Sequence, residues 1–478
     1  MGALSRGSVL RLLSAVPFLT VLGATPARAD AARRPGRGPD AGAILAGVRG
    51  PVLRPGDDGW SEEVGGFNLA HTPVPDLVVG AASADDVALA VRWARATGHR
   101  VSTQATGHGL RGDLAGTVLV STRRLDRVVV DPRARTARIG AGVRWRQVVE
   151  AAAPHGLAPL SGSSSAVGAV GYTLGGGVGL LSRRYGFAAD RVRSLEVVTA
   201  DGHRRPVDVL HHPDLFWALR GARDGLAVVT AMTIDLVPVS SVQGGGIFFD
   251  GSAAAPVLHA WRTWAASLPD HVGTSLAFLR LPPDPALPEP LRGRFVVHVR
   301  FVSTGTAAEA EALLRPVRAA APALLDSVGD LPWTAVDAVH GDPTQAMPAV
   351  ESGTGVRDLD RAAAEALLAR VDATSGCVLA MVELRRLGGA MARPARVPDA
   401  ATGRGAAFSV MGLGVPAGPG AELVGPQLAA LRAAVGPWSV PGPLNLAGAG
   451  DHTGLWTPGD RARLAAIRRR HDPCGTLA

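Results

Sequence analysis

The amino-acid sequence predicts an α+β fold with two domains, and three observations support this prediction. Residues 75–238 contain many short, β-branched apolar segments separated by turn residues, which is typical of a strand-rich α+β domain. Residues 239–435 contain longer helical segments between strands, which predicts an antiparallel sheet covered by helices. Residues 160–181 read LSGSSSAVGAVGYTLGGGVGLL, an uncharged glycine-rich stretch that indicates close approach of the backbone to a ligand.

The composition is that of a globular protein with ample material for a core. Of the 478 residues, 47% are hydrophobic and 19% are charged, and the net charge is +8. All 49 basic residues are arginines, and they are spread along the whole chain. Because nucleic-acid-binding proteins usually concentrate basic residues on one element or face, this distribution does not indicate nucleic-acid binding.

The N-terminus has the pattern of a secretory signal peptide over residues 1–29. Arg6 and Arg11 precede a largely apolar run, and Ala27-Arg28-Ala29 is a small-x-small cleavage site. The run is too short and too broken to span a bilayer, and no later stretch could span one. We therefore expect a secreted or extracytoplasmic protein. The export route stays open, because Gly7 stands where a twin-arginine signal has its second arginine.

The strand-rich domain has three predicted helices. The first begins after Ser83 as N-cap, with Asp86 at the capping-box position, and ends at Gly98. The second covers residues 145–153, and the third begins at Pro213. Strands are predicted at 77–79, 101–102, 118–120, 128–130, 136–139, 195–202, 205–209 and 227–236, of which 118–120, 128–130 and 136–139 follow one another at hairpin spacing.

The second domain alternates helices and strands, and the tail returns to a helix. Helices are predicted at 255–268, 307–319, 359–371 and 422–435, and strands at 274–279, 295–301, 378–384 and 407–411. Residues 341–355 are predicted to form a loop. In the tail, Thr457 is the expected N-cap of a last helix, with Pro458 at its first position and Asp460 at its third, and Asp472-Pro473 ends it.

The glycine-rich stretch does not match the common nucleotide or hydrolase motifs. In a Gly-x-Gly-x-x-Gly pattern from Gly175 or Gly177, the third glycine would fall on Leu180 or Ser182. A Walker loop needs a lysine, which the chain lacks. Gly162-Ser163-Ser164-Ser165-Ala166 misses the last glycine of a nucleophile elbow. What remains is a pair of loops, the first loop at 104–109 and the second loop at 162–179.

Five blocks in order carry a resemblance to a known family. They are Gln-Ala-Thr-Gly-His-Gly at 104–109, Val-Gly-Ala-Val-Gly-Tyr-Thr-Leu-Gly-Gly-Gly at 167–177, Leu-Glu-Val-Val-Thr-Ala-Asp-Gly at 195–202, Pro-Asp-Leu-Phe-Trp-Ala-Leu-Arg-Gly at 213–221, and Val-Val-Thr at 228–230. The chain resembles the vanillyl-alcohol oxidase/p-cresol methylhydroxylase superfamily, in its berberine-bridge-enzyme-like branch. The resemblance implies a two-part PCMH-type FAD-binding domain, with a leader and N-terminal part at 30–74 and the main part at 75–238. It also implies a substrate domain at 239–435 and a C-terminal segment at 436–478 that returns to the FAD domain.

The resemblance implies which residues bind FAD. His108 occupies the position of the histidine that is bonded to the 8α carbon of the flavin. Ser164 stands where members with two covalent bonds have a cysteine, and a serine hydroxyl cannot replace that thiolate. One covalent bond, through His108, is therefore expected. The full set of expected FAD-binding residues is Thr106, Gly107, His108, Gly109, Leu110, Ser163, Ser164, Val167, Gly168, Gly171, Tyr172, Gly177, Val229 and Asn445.

The implied activity is the oxidation of a C–H bond next to oxygen or nitrogen in a small molecule such as an alcohol, a sugar or a secondary metabolite. The hydride passes to flavin N5, and dioxygen commonly reoxidises the flavin to give hydrogen peroxide. A dehydrogenase with another electron acceptor and a flavin-binding protein with decayed catalysis are the alternatives.

The expected tyrosine base is missing, because the chain has only Tyr172 and Tyr185, both in the FAD domain. The candidates to replace it are Glu383, Asp451 and His452. Arg385 either binds an anionic substrate or balances Glu383. No metal site is expected, and a disulfide between the only two cysteines, Cys377 and Cys474, stays open together with the substrate and the oligomeric state.

Overall fold

A computed structural model describes residues 41–109, 112, 114–223 and 225–477. The predicted signal peptide at 1–29 and the expected FAD-binding residue Leu110 lie outside the described residues. In the described part of the chain, no helix is long and apolar enough to cross a membrane.

The first sheet has four strands and lies in the N-terminal part of the described chain. Its strands are β1 (Val52–Leu53), β2 (Leu77–Gly80), β3 (Arg100–Gln104) and β4 (Thr117–Ser121), in the order β1-β2-β4-β3. Three helices accompany it: α1 (Ala41–Leu45), α2 (Trp60–Val64) and α3 (Ala84–Thr97). Ser83 caps α3 by accepting a hydrogen bond from the Asp86 amide at 3.2 Å, and Gly98 ends the helix with a φ of 75°. The predicted start and end of this helix are confirmed.

The second sheet has five antiparallel strands. They are β5 (Val128–Asp131), β6 (Thr136–Gly140), β7 (Val192–Val198), β8 (Arg204–Val207) and β9 (Val228–Asp235), in the order β5-β6-β9-β7-β8. The helices of this part are α4 (Trp145–Ala152), α5 (Ala169–Leu174), α6 (Ser182–Tyr185) and α7 (Pro213–Leu219). Trp145 and Phe216 lie in the core that this sheet shares with α4, α5 and α7.

The third sheet has nine strands, and its hydrogen-bonded neighbours are antiparallel. The strands are β10 (Ser241–Asp250), β11 (Val272–Arg280), β12 (Phe295–Ser303), β13 (Ala323–Asp326), β14 (Gly329–Pro332), β15 (Val350–Val356), β16 (Met381–Arg386), β17 (Phe408–Gly414) and β18 (Ser439–Val440). One face packs against α8 (Ala254–Ser267), α9 (Ala307–Arg318), α10 (Arg361–Val371) and α11 (Ala421–Ala434). The predicted antiparallel sheet covered by helices is confirmed.

The tail runs back to the first two sheets. The last helix, α12 (Pro458–His471), has the predicted cap, because the Thr457 hydroxyl accepts from the Asp460 amide at 3.1 Å. Ile467 of α12 packs into the core of the second sheet. The Val101 amide of β3 donates to the Thr476 carbonyl at 2.7 Å. Both cysteines are free, Cys377 buried and Cys474 exposed.

Three sequence-based expectations about local structure are wrong. Residues 341–355 are not a loop throughout, since β15 begins at Val350 and lies between β17 and β18. Residues 118–120 and 128–130 do not form a hairpin, because β4 pairs in parallel with β2 and β3 while β5 pairs with β6 of the second sheet. The second loop contains a helix, α5, that the glycines on both sides concealed in the sequence.

Candidate cofactor and active site

The first loop follows β3 and holds His108 in a defined orientation. The His108 ring stacks on Phe67, with 4.0 Å between ring centroids and 8° between planes. Its Nδ1 lies 2.8 Å from Thr106 Oγ1, and this hydroxyl also accepts from the Gly168 amide of the second loop at 3.3 Å. Burial and the charge of Arg144 lower the pKa of His108 to about 4, against a weak opposing effect of Asp342. His108 is therefore a neutral imidazole at physiological pH, with a nitrogen lone pair free to react.

Serines of the second loop bond to acids from the segment that precedes β15. Ser163 Oγ donates to Asp342 Oδ2 at 2.6 Å, and the Ser165 amide donates to Asp337 Oδ1 at 2.8 Å. Ser164 Oγ accepts from the Ala166 amide at 3.3 Å. These contacts join the second loop to the segment that precedes β15. They were not predicted, because their partners are 179 and 172 residues apart in the chain.

Asn445 binds the second loop from the C-terminal segment. Its Oδ1 accepts from the Gly177 amide at 2.9 Å, and its Nδ2 donates to the Tyr172 carbonyl at 3.1 Å. Gly177 has a φ of 77°, and a Cβ there would lie 2.6 Å from Tyr172 Cε1, so this position requires glycine. The expected FAD-binding residues of the tail and of the second loop thus meet in one place.

The residues of the two loops have the features that a flavin needs. A Cβ added at Gly171 would meet no described atom within 4 Å, and one at Gly109 would meet only Arg223 Nη1, at 3.5 Å. The buried Tyr172 hydroxyl has no hydrogen-bond partner among the described residues. Burial raises the pKa of Tyr172, so this hydroxyl remains a proton donor. Open backbone, an unused donor and a neutral imidazole together fit an isoalloxazine ring and its carbonyl groups.

Val229 differs from the other expected FAD-binding residues. It lies in β9 opposite Val197 of β7, and its side chain is buried in the core of the second sheet. Its side chain therefore packs inside this core.

The face of the third sheet that lies away from the helices carries a polar row. The strand register places Arg300 of β12, Ser275 of β11 and Arg385 of β16 side by side. The next row contains His298 and Glu383, with Ala277 between them. This arrangement follows from the two-residue period of strands, which sends alternate side chains to opposite faces.

Glu383 is the acid partner of the two arginines. Its Oε1 accepts from Arg300 Nη1 at 2.8 Å, and both of its oxygens lie 3.0 Å from Arg385 Nη2. His340 Nε2 lies 3.4 Å from the same carboxylate. Burial raises the pKa of Glu383, but the charge of Arg385 and the contacts with His340 and Arg300 outweigh burial and hold the pKa well below its ordinary value. A carboxylate held in this way is a weak proton acceptor.

Glu351 is a carboxylate on this face that the sequence reasoning missed. It lies in β15 opposite Leu413 of β17. The residue two positions further along β15 shares a row with Glu383, so Glu351 and Glu383 are on the same face of the sheet. Burial raises its pKa, and the negative charges of Asp342 and Glu383 raise it further. No hydrogen bond to its carboxylate is present among the described residues. The available signal was the alternation of β15, which the Ser-Gly-Thr-Gly stretch after Glu351 hid.

The other two candidates for the base lie in the tail. Asp451 is exposed and accepts bonds from the Thr453 amide at 2.8 Å and from the Thr453 hydroxyl at 2.9 Å. These bonds lower its pKa. His452 Nε2 lies 2.9 Å from the Gly448 carbonyl, and Gly448 pairs with Ser352 of β15. Among the described residues, no group of three or more His, Cys, Asp or Glu side chains could hold a metal ion.

Comparisons with known proteins agree with this geometry. Residues 75–207 match the FAD binding domain family. The chain is 31% identical over 239 residues to (R)-6-hydroxynicotine oxidase of Paenarthrobacter nicotinovorans, an alignment that covers 48% of this chain and 48% of that protein. The chain therefore aligns with about half the length of this curated relative.

Solved structures match over almost the whole chain. The crystal structure of 6-hydroxy-D-nicotine oxidase from Arthrobacter nicotinovorans superposes with a TM-score of 0.77 at 26% identity, covering 90% of this chain and 96% of that one. Glucooligosaccharide oxidase from Acremonium strictum superposes with a TM-score of 0.78 at 19% identity, covering 92% and 98%.

The fold and the paired loops define a flavoprotein with a PCMH-type FAD-binding domain. The match of residues 75–207 and the shared fold support the resemblance to the vanillyl-alcohol oxidase/p-cresol methylhydroxylase superfamily, and a berberine-bridge-enzyme-like protein is among the structural neighbours. The resemblance expected from the sequence blocks is confirmed.

Proposed function

We propose that this protein is an FAD-linked oxidase that removes a hydride from a C–H bond next to oxygen or nitrogen in a small molecule. An alcohol, a sugar or a secondary metabolite is the expected substrate class, and dioxygen is the expected electron acceptor, giving hydrogen peroxide. The observation that carries the proposal is that the two loops meet at Thr106 beside a neutral His108, while Arg385 of the third sheet donates to the Val178 carbonyl of the second loop at 3.4 Å. The similarity to an oxidase over about half its length supports it.

The FAD would be held by the first loop, the second loop and Asn445. When bound, FAD supplies the hydride acceptor and the route for electrons to dioxygen. The Thr106 hydroxyl is hydrogen-bonded to Nδ1 of His108. This leaves Nε2 as the ring nitrogen for a single covalent bond to the flavin. Ser164 offers no thiolate for a second bond. The structural neighbour glucooligosaccharide oxidase has FAD with both a cysteinyl and a histidyl link.

We propose Glu351 as the proton acceptor in place of the missing tyrosine. Its raised pKa makes it a stronger base than an ordinary carboxylate, and it faces the FAD side of the sheet without a described hydrogen bond. Glu383 instead fixes the direction of Arg385 and Arg300. Asp451 and His452 follow the last strand, near β15, and serve in this proposal to position the tail.

The division of the chain is part of the proposal. Residues 30–74 and 75–238 form the FAD domain, 239–435 the substrate domain, and 436–478 the returning segment. Export as a secreted or extracytoplasmic protein through residues 1–29 belongs to the same proposal.

Purified protein tests the cofactor first. Yellow colour that remains with the protein after acid precipitation indicates covalent FAD. Hydrogen peroxide release is then measured across alcohols, sugars and cyclic amines, with anaerobic bleaching of the flavin as a second readout. Bleaching followed by slow reoxidation in air would indicate a dehydrogenase. Colourless protein that does not take up added FAD would overturn the proposal.

A further inference from the structure

A short segment, residues 66–69, lies directly against the first loop. The Phe67 amide donates to the Thr106 carbonyl at 2.9 Å, and the next amide along the chain donates to the Gly107 carbonyl at 3.2 Å. The two backbones touch, since a Cβ added at Gly107 would lie 2.5 Å from Gly66 Cα. A side chain at either glycine would push the two backbones apart. The glycine pair therefore lets residue 67 lie beside the first loop.

The other edge of this segment pairs with residues that precede β15. The Met347 amide donates to the Phe67 carbonyl at 2.9 Å, and the Leu69 amide donates to the Met347 carbonyl at 3.0 Å. The Asn68 side chain donates to the Ala349 carbonyl at 2.8 Å and accepts from the Ala349 amide at 3.1 Å. The segment is thus held on both edges, and its backbone has a defined position relative to the first loop.

The Phe67 ring covers one face of the His108 imidazole. Their centroids are 4.0 Å apart, and their planes differ by 8°. Phe67 is half-buried, and none of the hydrophobic core clusters formed by the described residues includes it. Core packing therefore does not account for an aromatic ring at this position, whereas the stacked imidazole does.

Two contacts together determine the orientation of the His108 ring. The hydrogen bond between Thr106 Oγ1 and Nδ1, at 2.8 Å, holds one edge of the ring. A single hydrogen bond tolerates a tilt of the ring, because hydrogen-bond angles vary over a broad range. The parallel Phe67 ring opposes this tilt, since stacked aromatic rings attract each other face to face. The direction of Nε2 is fixed as a result.

That direction matters for the covalent bond assigned to His108. Joining Nε2 to the 8α carbon of the flavin breaks one C–H bond of that carbon and the N–H bond of the neutral imidazole. Both protons and the two electrons pass by way of the flavin to dioxygen, and hydrogen peroxide leaves. The rate of such a step depends strongly on how well the reacting atoms are oriented before they react.

We propose that Phe67 is a positioning residue for the covalent attachment of the flavin. Its ring holds the His108 imidazole in the orientation from which Nε2 forms the bond. Phe67 acts through His108 and forms no bond to the flavin itself. This inference rests on the proposed function, because it requires attachment through His108.

The rate of attachment tests the proposal on the full-length protein. Flavin-free protein is produced in riboflavin-limited culture and mixed with a series of FAD concentrations, and the flavin that stays with acid-precipitated protein is followed over time. The maximal rate reports the attachment step, and the half-saturating FAD concentration reports the binding that precedes it. Neither value requires a substrate or turnover of the enzyme.

Variants at Phe67 separate the aromatic ring from simple apolar packing. Phe67→Leu and Phe67→Met keep an apolar side chain, and in both we expect the maximal rate to fall at least about tenfold while the half-saturating FAD concentration stays within about twofold of the wild type. Phe67→Tyr keeps the ring and should restore the maximal rate. Phe295→Leu is the matched control, because it removes a half-buried ring that stacks on Phe278 in the third sheet, and it should change neither value.

Attachment at the wild-type maximal rate in Phe67→Leu or Phe67→Met would overturn the proposal. A change in the half-saturating FAD concentration alone, or a Phe67→Tyr variant that stays slow, would also overturn it, since either result assigns Phe67 a purely structural role. These outcomes count against Phe67 while the wild type still attaches its flavin. Wild-type protein that binds FAD but forms no acid-stable flavin would instead refute the bond proposed through His108, and this inference with it.

Discussion

At the scale of single residues, the proposed attachment of the flavin depends on His108 and Ser164. The stacked, neutral imidazole is the one reactive side chain that the first loop offers, while Ser164 has only a weakly nucleophilic hydroxyl. His108→Ala is therefore expected to leave all flavin extractable by acid, and Ser164→Ala to leave it attached. Absorbance of the acid-precipitated protein measures both. Flavin that stays with precipitated His108→Ala protein would show that the bond is formed elsewhere.

Protonation of Glu351 should make the rate of flavin reduction fall at acid pH. A proton acceptor works only when ionised, and burial raises the pKa of Glu351, so the rate of flavin reduction should fall below that raised pKa. Glu351→Gln should lower this rate by about 10²–10⁴-fold and remove the acid limb of the profile. Anaerobic stopped-flow with any substrate that bleaches the flavin measures it. Glu365→Gln, on an exposed surface of α10, is the control, and a normal pH profile in Glu351→Gln would exclude Glu351 as the base.

At the scale of elements, the sequence predicts best where a local signal fixes a boundary. Ser83 and Thr457 cap helices as expected, since each cap needs only residues within one turn. β15 was missed because its Ser-Gly-Thr-Gly stretch has no apolar alternation, and its position between β17 and β18 depends on distant partners. β10 was missed for a similar reason, because its glycine run also lacks apolar alternation. Packing explains the glycine at Gly246, since a Cβ there would lie 1.9 Å from His298 Nε2.

The 3-10 turn Leu444–Leu446 is the element through which the tail supports the second loop. Asn445→Ala leaves the Gly177 amide without its acceptor, while among the described residues the Tyr172 carbonyl keeps only the Gly175 amide as donor, and this should cost about 1–3 kcal/mol of unfolding free energy. Asn445→Asp keeps the acceptor for Gly177 and should lose less. Denaturant unfolding measures the difference.

The effect of Asn445 on the cofactor is visible only without the covalent bond. In a His108→Ala background, Asn445→Ala is expected to weaken FAD binding, which flavin fluorescence titration measures. Equal FAD affinity with and without Asn445→Ala in that background would mean that the turn does not shape the cofactor site.

At the scale of the whole molecule, the proposed site lies where the two loops meet the third sheet and the segment that precedes β15. The sequence blocks predicted the two loops and the family, because those residues are contiguous. They could not predict that Ser163 meets Asp342 or that Glu351 lies on the flavin side, since both depend on long-range packing. The strand register of the third sheet decides which carboxylates share a face, and the sequence alone does not show this register. For this reason the candidate base Glu351 follows from the structure.

A second junction between the domains should make stability depend on pH. Arg404 lies 2.6 Å from Asp190 and 2.9 Å from Asp399, and Arg220 donates to the Val397 carbonyl of the same segment at 3.3 Å. Burial and the hydrogen bond to Asp190 raise the pKa of Asp399 to about 6 from 3.8, although Arg404 opposes the shift. The folded state therefore binds this proton more tightly than the unfolded state, and the stabilisation is complete below pH 3.8 and lost as the pH rises through about 6.

Replacing the carboxyl by an amide should remove this dependence. A shift from 3.8 to about 6 corresponds to about 3 kcal/mol, so the stability of the wild type relative to Asp399→Asn should fall by that order between pH 4 and pH 7. Calorimetric Tm values across this range measure the difference, with Asp131→Asn at the exposed end of β5 as the control. A constant Tm difference between the wild type and Asp399→Asn at every pH would show that Asp399 does not titrate at the junction.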